Sequence, residues 1–260
     1  MIHATAAVDA KAKVGSDVHI GAYAVVGPEV TLADGVRVGA HVVIDGRTTI
    51  GPATEILPFA MVGAPPGHLK DRGEGTELVI GARCSLREHV SVHRGSKVGT
   101  GRTVIGDETT LFAHAHVGHD GRLGRGVLLT NGAMLGGHVE IGDFAILGGA
   151  AVVHQFVRIG TMAMIEGHCG VGMDVPPYCL AAGHRVRLVG LNEIGLERRG
   201  VSAEAVLSLR AAYRTVFRSG IRRAQALEKA RAAGGSVKEV AHFLDFIAGG
   251  KRGIARHGRG

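Results

Sequence analysis

The chain has no tryptophan, and aromatic residues make up only 4% of its 260 positions. Its three cysteines form no C-x-x-C pair, which argues against a disulfide framework or a cysteine-based zinc site. No apolar run approaches the roughly 20 residues of a transmembrane helix, and the first residues lack the basic and apolar segments of a signal peptide. We therefore expect a cytoplasmic protein without stable membrane insertion.

Glycine and charge are the two features in excess. The chain contains 42 glycines, and 45% of its residues are hydrophobic despite the scarcity of aromatic rings. This combination is typical of a narrow core filled by stacked aliphatic side chains. The net charge of +7 indicates an anionic partner, such as nucleic acid, a membrane surface, or an acidic or phosphorylated molecule. Nucleic acid is not favoured, because no aromatic stacking platform or known binding motif accompanies the charge.

Aliphatic residues recur at every sixth position along most of the chain. The first run is Val8, Val14, Ile20, Val26, Leu32, Val38, Ile44, Ile50, Ile56 and Val62. The step lapses across 63–79, resumes at Ile80, Leu86 and Val92, and slips within 93–104. The last run is Ile105, Leu111, Val117, Leu123, Leu129, Leu135, Ile141, Leu147, Val153, Ile159, Ile165 and Val171.

This six-residue step is the signature of a parallel β-helix. Each hexad is expected to form one short strand and a turn, so that three hexads close a triangular coil of 18 residues. The repeated aliphatic should point inward, and glycine, which often follows it as in Val14-Gly15, should accommodate positive φ at the turn.

The repeat ends near Asp174-Val175-Pro176-Pro177-Tyr178, because two prolines cannot continue a hydrogen-bonded ladder. Beyond it, Ser202 predicts the N-cap of one helix and Ser236 the start of a capping box for another. We therefore predict a catalytic β-helix over residues 1–190 and a helical domain over 191–260, with a frayed basic tail from Lys251.

A β-helix brings residues 18 apart onto the same wall. His119 should therefore lie against Gly137 and Asp120 against His138, while Gly118 should lie against Gly136 and, one coil further, His154. Three histidines, His119, His138 and His154, converge with Gln155 in this way. Acyl transfer to a hydroxyl needs a general base and a donor for the oxyanion. His119 fits the base, Asp120 its orienting partner, and the Gly137 N–H the oxyanion donor.

Two other interpretations start from the same residues. No serine or cysteine nucleophile stands beside a base, so direct transfer is favoured over an acyl-enzyme.

His114 and His119, five apart, could instead hold zinc, as in the γ-class carbonic anhydrases built on a similar repeat. Zinc needs three ligands or more, and the position of the third is Leu78 here, which disfavours this interpretation.

An ordered set of motifs resembles one family of hexapeptide-repeat enzymes, the acyl-[acyl-carrier-protein]–UDP-N-acetylglucosamine O-acyltransferases of lipid A biosynthesis. The motifs are His93-Arg94-Gly95-Ser96, His116-Val117-Gly118-His119-Asp120, Gly137-His138, His154-Gln155-Phe156, Asp174-Val175-Pro176-Pro177-Tyr178, Gly190-Leu191-Asn192 and Gly195-Leu196-Glu197-Arg198-Arg199-Gly200. The resemblance covers essentially the whole chain and implies a left-handed β-helix, mainly β, with a C-terminal α-helical domain.

The resemblance also implies a homotrimer with active sites between neighbouring subunits. His119 is then the general base, Asp120 its partner and Gly137 the oxyanion donor. The implied substrate-binding residues are Lys70, His116, His138, His154, Gln155, Asn192, Arg198 and Arg199. Acyl carrier protein would donate a 3-hydroxyacyl chain to UDP-N-acetylglucosamine, with no metal and no dissociable cofactor.

The charge pattern agrees with an acidic protein partner. Arg210, Arg214, Arg218 and Arg222 recur every four residues, which predicts a basic stripe on the first long helix. Such a stripe would attract the acidic acyl carrier protein.

Gly67-His68-Leu69-Lys70 stands where members of this family usually have Gln-Asp-Leu-Lys. The acceptor could therefore be a 3-amino analogue of the sugar. Another hexapeptide sugar acyltransferase, an acetyl-CoA-dependent enzyme or a non-catalytic solenoid are the remaining alternatives.

Overall fold

The six-residue step folds into short strands, one for each step, and these strands form three parallel walls around a triangular axis. The computed structural model describes residues 1–69, 71 and 75–258. Residues 18 apart are hydrogen-bonded neighbours on a wall, as His116 is to Met134 and Met134 to Val152. The predicted coil length is confirmed.

We number the walls in the order in which the chain first visits them. Wall 1 consists of Ala7–Val8, Val25–Val26, Val43–Ile44, Met61–Ala64, Ser91–His93, His116–Val117, Met134–Leu135, Val152–Val153 and Gly170–Val171. Wall 2 consists of Lys13–Val14, Thr31–Leu32, Arg47–Ile50, Glu77–Ile80, Arg102–Ile105, Arg122–Leu123, Glu140–Ile141 and Arg158–Ile159. Wall 3 consists of His19–Ile20, Arg37–Val38, Glu55–Ile56, Ser85–Leu86, Thr110–Leu111, Leu128–Leu129, Ile146–Leu147, Met164–Ile165, Cys179–Ala182 and Arg187–Leu191.

The stepped aliphatics form the core, with small side chains such as Ala24, Ala133 and Ala151 packed between them. Burial of this apolar surface stabilises the coil at about 25 cal/mol per Å². The first coil differs from the prediction: Val14 is 37% exposed. It has a neighbouring coil on one side only, as expected at the end of a solenoid.

Positive φ falls on the corner residues of the coils, and most of these are not glycine; His138, for example, has a φ of 60°. Glycines that follow a stepped aliphatic, such as Gly15, Gly51 and Gly106, do not have positive φ, so their predicted role is wrong; Gly63 is an exception, with a φ of 80°. A Cβ on Gly51 would lie 2.5 Å from the carbonyl carbon of Gly81, and one on Gly106 would lie 2.6 Å from that of Gly124. These glycines are needed because adjacent coils approach closely at the backbone.

Each corner is named by the walls that it joins. The 1–2 corner carries Asp120, His138 and Phe156, and the 2–3 corner carries Phe144 and Met162. The 3–1 corner carries a ladder of stacked rings with centroids 4.8–5.2 Å apart: Tyr23, His41, Phe59, His89 and His114.

Two insertions interrupt the coil at the 1–2 corner. The wall register pairs Val62 with Val92 and Val92 with Val117. Neighbours are 30 residues apart across the first insertion and 25 across the second. The described residues of the first insertion are 65–69, 71, 75 and 76, and the second insertion runs through 94–101. Both extra loops therefore lie where Asp120 and His138 emerge.

The β-helix continues past the two prolines, because Cys179–Ala182 still pairs in parallel with Met164–Ile165. The strand Arg187–Leu191 then turns back antiparallel on Cys179–Ala182. Helix α1 follows at Glu193–Arg198, α2 at Ala203–Arg218, α3 at Arg223–Gly234 and α4 at Lys238–Ala248. The division at residue 190 stays a prediction.

The N-termini of α2 and α4 can be compared with the two predicted N-caps. Ser202 caps α2, since its side chain accepts a hydrogen bond from the Ala205 N–H at 3.2 Å. The prediction for Ser236 is wrong, because α4 has Val237 at its N-cap and no side-chain cap there. Within the described residues, no helix is long and apolar enough to cross a membrane.

The described part of the tail after α4, which ends at residue 258, is docked on the β-helix, contrary to the predicted frayed end. Ile254 pairs with Asp174 and His257 with Leu188. Ile254 and Ala255 are both buried. The reason is that Ala255 donates its N–H to the Asp174 carbonyl at 2.9 Å, which fixes the chain against the last coil.

Candidate active site

His119 and Asp120 form a buried pair at the 1–2 corner. The Nδ1 of His119 lies 2.8 Å from Oδ2 of Asp120, and the Asp120 side chain is fully buried. A carboxylate only accepts hydrogen bonds, so the pair places the imidazole proton on Nδ1. The Nε2 of His119 is then left with a free lone pair.

The loop of the second insertion holds the Asp120 carboxylate. Ser96 donates its hydroxyl to Oδ2 at 2.6 Å, and the N–H of Thr100 donates to Oδ1 at 2.9 Å. Burial raises the pKa of Asp120, but the hydrogen bonds from Ser96, His119 and Thr100 outweigh it and lower the pKa to about 2. Asp120 is therefore ionised at neutral pH.

Gly137 lies directly against the His119 ring. A Cβ at Gly137 would come within 2.6 Å of both Cε1 and Nε2 of His119. The N–H of Gly137 donates no hydrogen bond within the described part of the chain. The neighbouring N–H of His138 is engaged, since it donates to the His119 carbonyl at 2.9 Å. Gly137 therefore provides both space and an uncommitted donor beside Nε2.

Two more rings contact His119 edge to face. The centroid of His138 lies 5.0 Å from that of His119, and the centroid of His68 lies 5.4 Å away. Burial lowers the pKa of His138, partly opposed by the nearby Asp120 carboxylate. His138 also stacks on Phe156 at 4.4 Å, which fixes the plane of its ring.

His116 and His93 extend the site along wall 1. The Nδ1 of His116 lies 2.8 Å from the Ser91 hydroxyl, and the His116 ring packs edge to face on His93 at 4.8 Å. Burial lowers the pKa of His116, and burial with the neighbouring His116 lowers that of His93 to about 4. His93 also accepts the N–H of Gly67 at 3.1 Å, which ties the first inserted loop to the wall.

These groups surround a cleft of about 440 Å³. Its polar lining comes from His93, His116, His119, His154 and Gln155, with backbone from Gly136 and Gly137. The exposed side chains of Met134 and Val152 form the apolar part of its floor. A partly apolar cleft lined by imidazole and amide groups suits an uncharged polar group such as a sugar ring.

The structure separates His114 from His119. His114 stacks on His89 in the ladder of the 3–1 corner, whereas His119 lies at the 1–2 corner. These two histidines therefore do not form a zinc pair. Ligand atoms of His119, Asp120 and His138 lie within 4.8 Å of one another. Both Asp120 oxygens already accept hydrogen bonds from Ser96 or Thr100.

The remaining predicted binding residues lie elsewhere. Asn192 caps α1 by accepting the Gly195 N–H at 3.1 Å, and it donates to the Met162 carbonyl at 2.9 Å. Arg199 lies over the Phe144 ring at 3.9 Å. Asn192 and Arg199, with exposed Arg198 on α1, are thus at the 2–3 corner and not at the His119 corner of the same chain. Lys70 lies outside the described residues.

The predicted basic stripe is shorter than expected. Helix α2 ends at Arg218, and Arg222 is the N-cap residue of α3. Arg210 is paired with Glu193 at 2.9 Å. Arg214 and Arg218 remain as exposed cations on α2.

Sequence reasoning missed Ser96, Thr100 and His93 as site residues. The first two lie in the second inserted loop, where the 18-residue spacing does not apply. The regular 18-residue spacing therefore predicted no partner for Ser96 or Thr100. The available signal was the motif His93-Arg94-Gly95-Ser96, which was recognised as typical of a family but not connected to Asp120.

Two known families match parts of the chain. Residues 174–255 match the second domain of UDP-N-acetylglucosamine O-acyltransferase, and residues 11–46 match the bacterial transferase hexapeptide, described as six repeats. The first match spans the end of the β-helix and the helices, and the second lies in the early coils.

Full-length relatives carry one name. The chain is 44% identical to the acyl-[acyl-carrier-protein]–UDP-N-acetylglucosamine O-acyltransferase of Thermodesulfovibrio yellowstonii, over 98% of this chain and 99% of that protein. It is 47% identical to the protein of the same name from Syntrophobacter fumaroxidans, with the same coverage. The solved UDP-N-acetylglucosamine O-acyltransferase of Moraxella catarrhalis superposes with a TM-score of 0.95 at 36% identity, over 98% of this chain and 99% of that one. The predicted left-handed hexapeptide β-helix is confirmed by this likeness.

Proposed function

The chain belongs to the acyl-[acyl-carrier-protein]–UDP-N-acetylglucosamine O-acyltransferase family, and from that membership we propose that it transfers a fatty acyl group from acyl carrier protein to the 3-hydroxyl of UDP-N-acetylglucosamine in lipid A biosynthesis. The observation that carries the proposal is the His119–Asp120 pair, with Nε2 of His119 beside Gly137. The donor is a thioester, and we propose a 3-hydroxyacyl chain on it. A cytoplasmic location, expected from a sequence with three cysteines and no C-x-x-C pair, stays part of the proposal.

In the proposed first step, the sugar 3-hydroxyl attacks the thioester carbonyl carbon while Nε2 of His119 takes the hydroxyl proton. A new C–O bond forms and the carbonyl π electrons move to oxygen. Asp120 stabilises the resulting imidazolium through the 2.8 Å hydrogen bond at Nδ1. A base placed in this way contributes about 10²–10⁴-fold to a rate.

In the proposed second step, the tetrahedral intermediate collapses and the C–S bond breaks. The Gly137 N–H is the donor for the oxyanion, since it points to no other acceptor among the described residues. The protonated His119 returns its proton to the leaving thiolate, which leaves as the pantetheine thiol. This cycle uses no metal and no dissociable cofactor, and the acyl group never becomes attached to the enzyme.

His116, His138, His154 and Gln155 are the proposed contacts of the sugar, its phosphates or the acyl group. The pKa values of His116 and His138 are lowered by burial, which favours their neutral forms. A neutral imidazole offers one donor and one acceptor, which is the pattern needed to bind a hydroxyl group. Lys70 is proposed to add a positive charge.

A homotrimer would complete the site. The outer face of wall 1 is apolar, with Val25, Met134 and Val152 each more than 40% exposed. A head-to-tail contact that closes into a ring would bury this face against a neighbouring copy. It would also let the 2–3 corner of one subunit, with Asn192, Arg198 and Arg199, approach the His119 corner of the next. We propose that these three residues bind the nucleotide or the pantetheine arm in that way.

The proposed docking surface for acyl carrier protein is the exposed side of α2. Arg214 and Arg218 lie one turn apart there and are exposed. Electrostatic attraction between this surface and an acidic protein would mainly raise the association rate, and it would weaken with salt.

An acyl-transfer assay with purified components tests the function. We expect product from acyl carrier protein thioesters with UDP-N-acetylglucosamine, and none above background from acetyl-CoA. A panel of thioesters with and without the 3-hydroxyl defines the donor. A parallel reaction with the 3-amino sugar nucleotide tests the alternative acceptor suggested by His68. Efficient transfer from acetyl-CoA, or no transfer from any thioester, would contradict the proposal.

Gly137→Ala is expected to lower kcat roughly 10²-fold, the effect of misplacing a catalytic group by about 1 Å. The new Cβ would come within 2.6 Å of the His119 ring, which must then tilt away from Asp120 or from the substrate. Gly234→Ala is the control, because a Cβ there meets nothing closer than 3.7 Å, and it should match the wild type. Equal rates for the two variants would exclude Gly137 from the site.

A further inference from the structure

The C-terminal tail delivers one side chain to the edge of the candidate active site. Arg252 follows α4 and is held in place by its Nε, which donates to the Gly172 carbonyl at 3.0 Å. The tail is fixed two residues later, where Ile254 pairs with Asp174 and is only 3% exposed. One terminal nitrogen of Arg252 then lies 2.8 Å from Nδ1 of His154.

This contact determines where the proton of His154 resides. A guanidinium has only donors, so Nδ1 of His154 must accept and carries no proton. The same Nδ1 lies 3.1 Å from the Gln155 carbonyl oxygen, and that pair would need a proton on Nδ1. The two arrangements exclude each other. The shorter contact with a permanently charged donor prevails, because charge-assisted hydrogen bonds are about twice as strong as neutral ones.

We propose that Arg252 is a positioning residue that fixes the tautomer of His154, so that the Nε2–H of His154 is a donor to the sugar nucleotide. His154 lines the cleft beside Gln155 and Gly137, whereas Arg252 does not line it. The group recognised by His154 is therefore an acceptor oxygen, either a hydroxyl or a phosphate oxygen of the bound substrate. This inference rests on the proposed function, because it names the role of one contact in that site.

The geometry of arginine is required for this task. Its Nε and its terminal nitrogen donate in two directions from one rigid plane, one to Gly172 and one to His154. Lysine has a single ammonium group on a flexible stem and cannot reproduce such a planar two-point contact. Arg252→Lys keeps the charge near the cleft but removes the constraint on the imidazole.

Kinetics of Arg252→Met and Arg252→Lys test the inference. We expect both variants to raise KM for UDP-N-acetylglucosamine about tenfold, the effect of one ordinary hydrogen bond, with kcat within twofold of the wild type. Lys251→Met is the matched control, because it removes a neighbouring charge from the same tail and should leave both constants unchanged. A KM that changes for Lys251→Met as much as for Arg252→Met would reduce the effect to general electrostatics and overturn the inference.

Two further measurements separate positioning from a structural role. In the His154→Ala background, Arg252→Met should change KM no further, since Arg252 acts through His154; additive effects would overturn the inference. Nitrogen NMR of the histidines should show the Nε2–H form of His154 in the wild type and a shift toward the Nδ1–H form in Arg252→Met. An unchanged tautomer would also overturn it. A wild-type enzyme without any activity on UDP-N-acetylglucosamine would instead contradict the proposed function.

Discussion

Replacement of His119 by alanine is expected to lower kcat by about 10²–10⁴-fold, the contribution of a positioned general base. The imidazole is the group whose Nε2 is free while Nδ1 is bound to Asp120 at 2.8 Å. The KM for the sugar nucleotide should change much less, because His116, His154 and Gln155 still line the cleft. Steady-state kinetics with acyl carrier protein thioester and UDP-N-acetylglucosamine measure both constants.

His114→Asn is the matched control for this variant. His114 lies five residues earlier on the same coil, but it stacks on His89 at the 3–1 corner. Its φ is 60°, a conformation that asparagine tolerates better than most residues. Activity of His114→Asn should equal that of the wild type. If His119→Ala keeps full activity, or if both histidine variants lose activity equally, His119 is not the base.

Added imidazole offers a second readout. The alanine variant leaves a space beside Gly137 that free imidazole can enter, as that glycine has no side chain. Partial recovery of kcat with imidazole, increasing with the neutral fraction of the added base, is expected for a lost general base. A purely structural role of His119 would give no such pH-dependent recovery.

The sequence alone was sufficient to predict the 18-residue coil and the residues at the centre of the candidate active site. Because the coils that carry the site have 18 residues each beyond the second insertion, a simple count placed Gly137 beside His119 and His154 two coils from Gly118. Those contacts depend on the backbone path, which the buried aliphatics fix. The residues found in this way are the ones that lie on the walls or at the corners themselves.

The 18-residue spacing does not predict contacts for residues in the inserted loops or in the C-terminal tail. Ser96 reaches Asp120 across 24 residues, because the second insertion lengthens that coil. Arg252 reaches His154 across 98 residues, through a tail that pairs with the last coil at Asp174. No periodicity relates such positions, so only tertiary structure brings them together. The same holds for Asn192 and Arg199, whose motif was recognised but whose place at the 2–3 corner was not.

Asp120→Asn is expected to lower kcat by about 10²–10⁴-fold as well, for a different reason. An amide can offer its NH₂ group to Nδ1 of His119, which would place the imidazole proton on Nε2 and block its function as a base. The Ser96 hydroxyl and the Thr100 N–H would also face a group with one acceptor oxygen instead of two. An increase in KM without a decrease in kcat would contradict this role.

The same variant should be less stable, in a way that depends on pH. The pKa of Asp120 is lowered to about 2 in the folded chain, against 3.8 for an unperturbed group. A lowered carboxyl pKa stabilises the fold by roughly 2 kcal/mol at pH values above the unfolded pKa. This contribution declines below about pH 4 and is lost as the pH falls through about 2. Urea unfolding of wild type and Asp120→Asn between pH 7 and 3 should show the difference in free energy of unfolding becoming smaller.

Asp143→Asn provides the control for both effects. Asp143 is exposed, and its Oδ1 accepts a single backbone hydrogen bond, from the Arg125 N–H at 2.9 Å. It touches neither His119 nor the cleft, so kcat should remain at the wild-type value. A stability difference for Asp120→Asn that does not diminish on acidification would mean that packing, and not the carboxylate charge, accounts for it. Because Ser96 and Thr100 donate to the Asp120 carboxylate from the second inserted loop, a pH-dependent difference is the result expected if that loop helps to stabilise the charge.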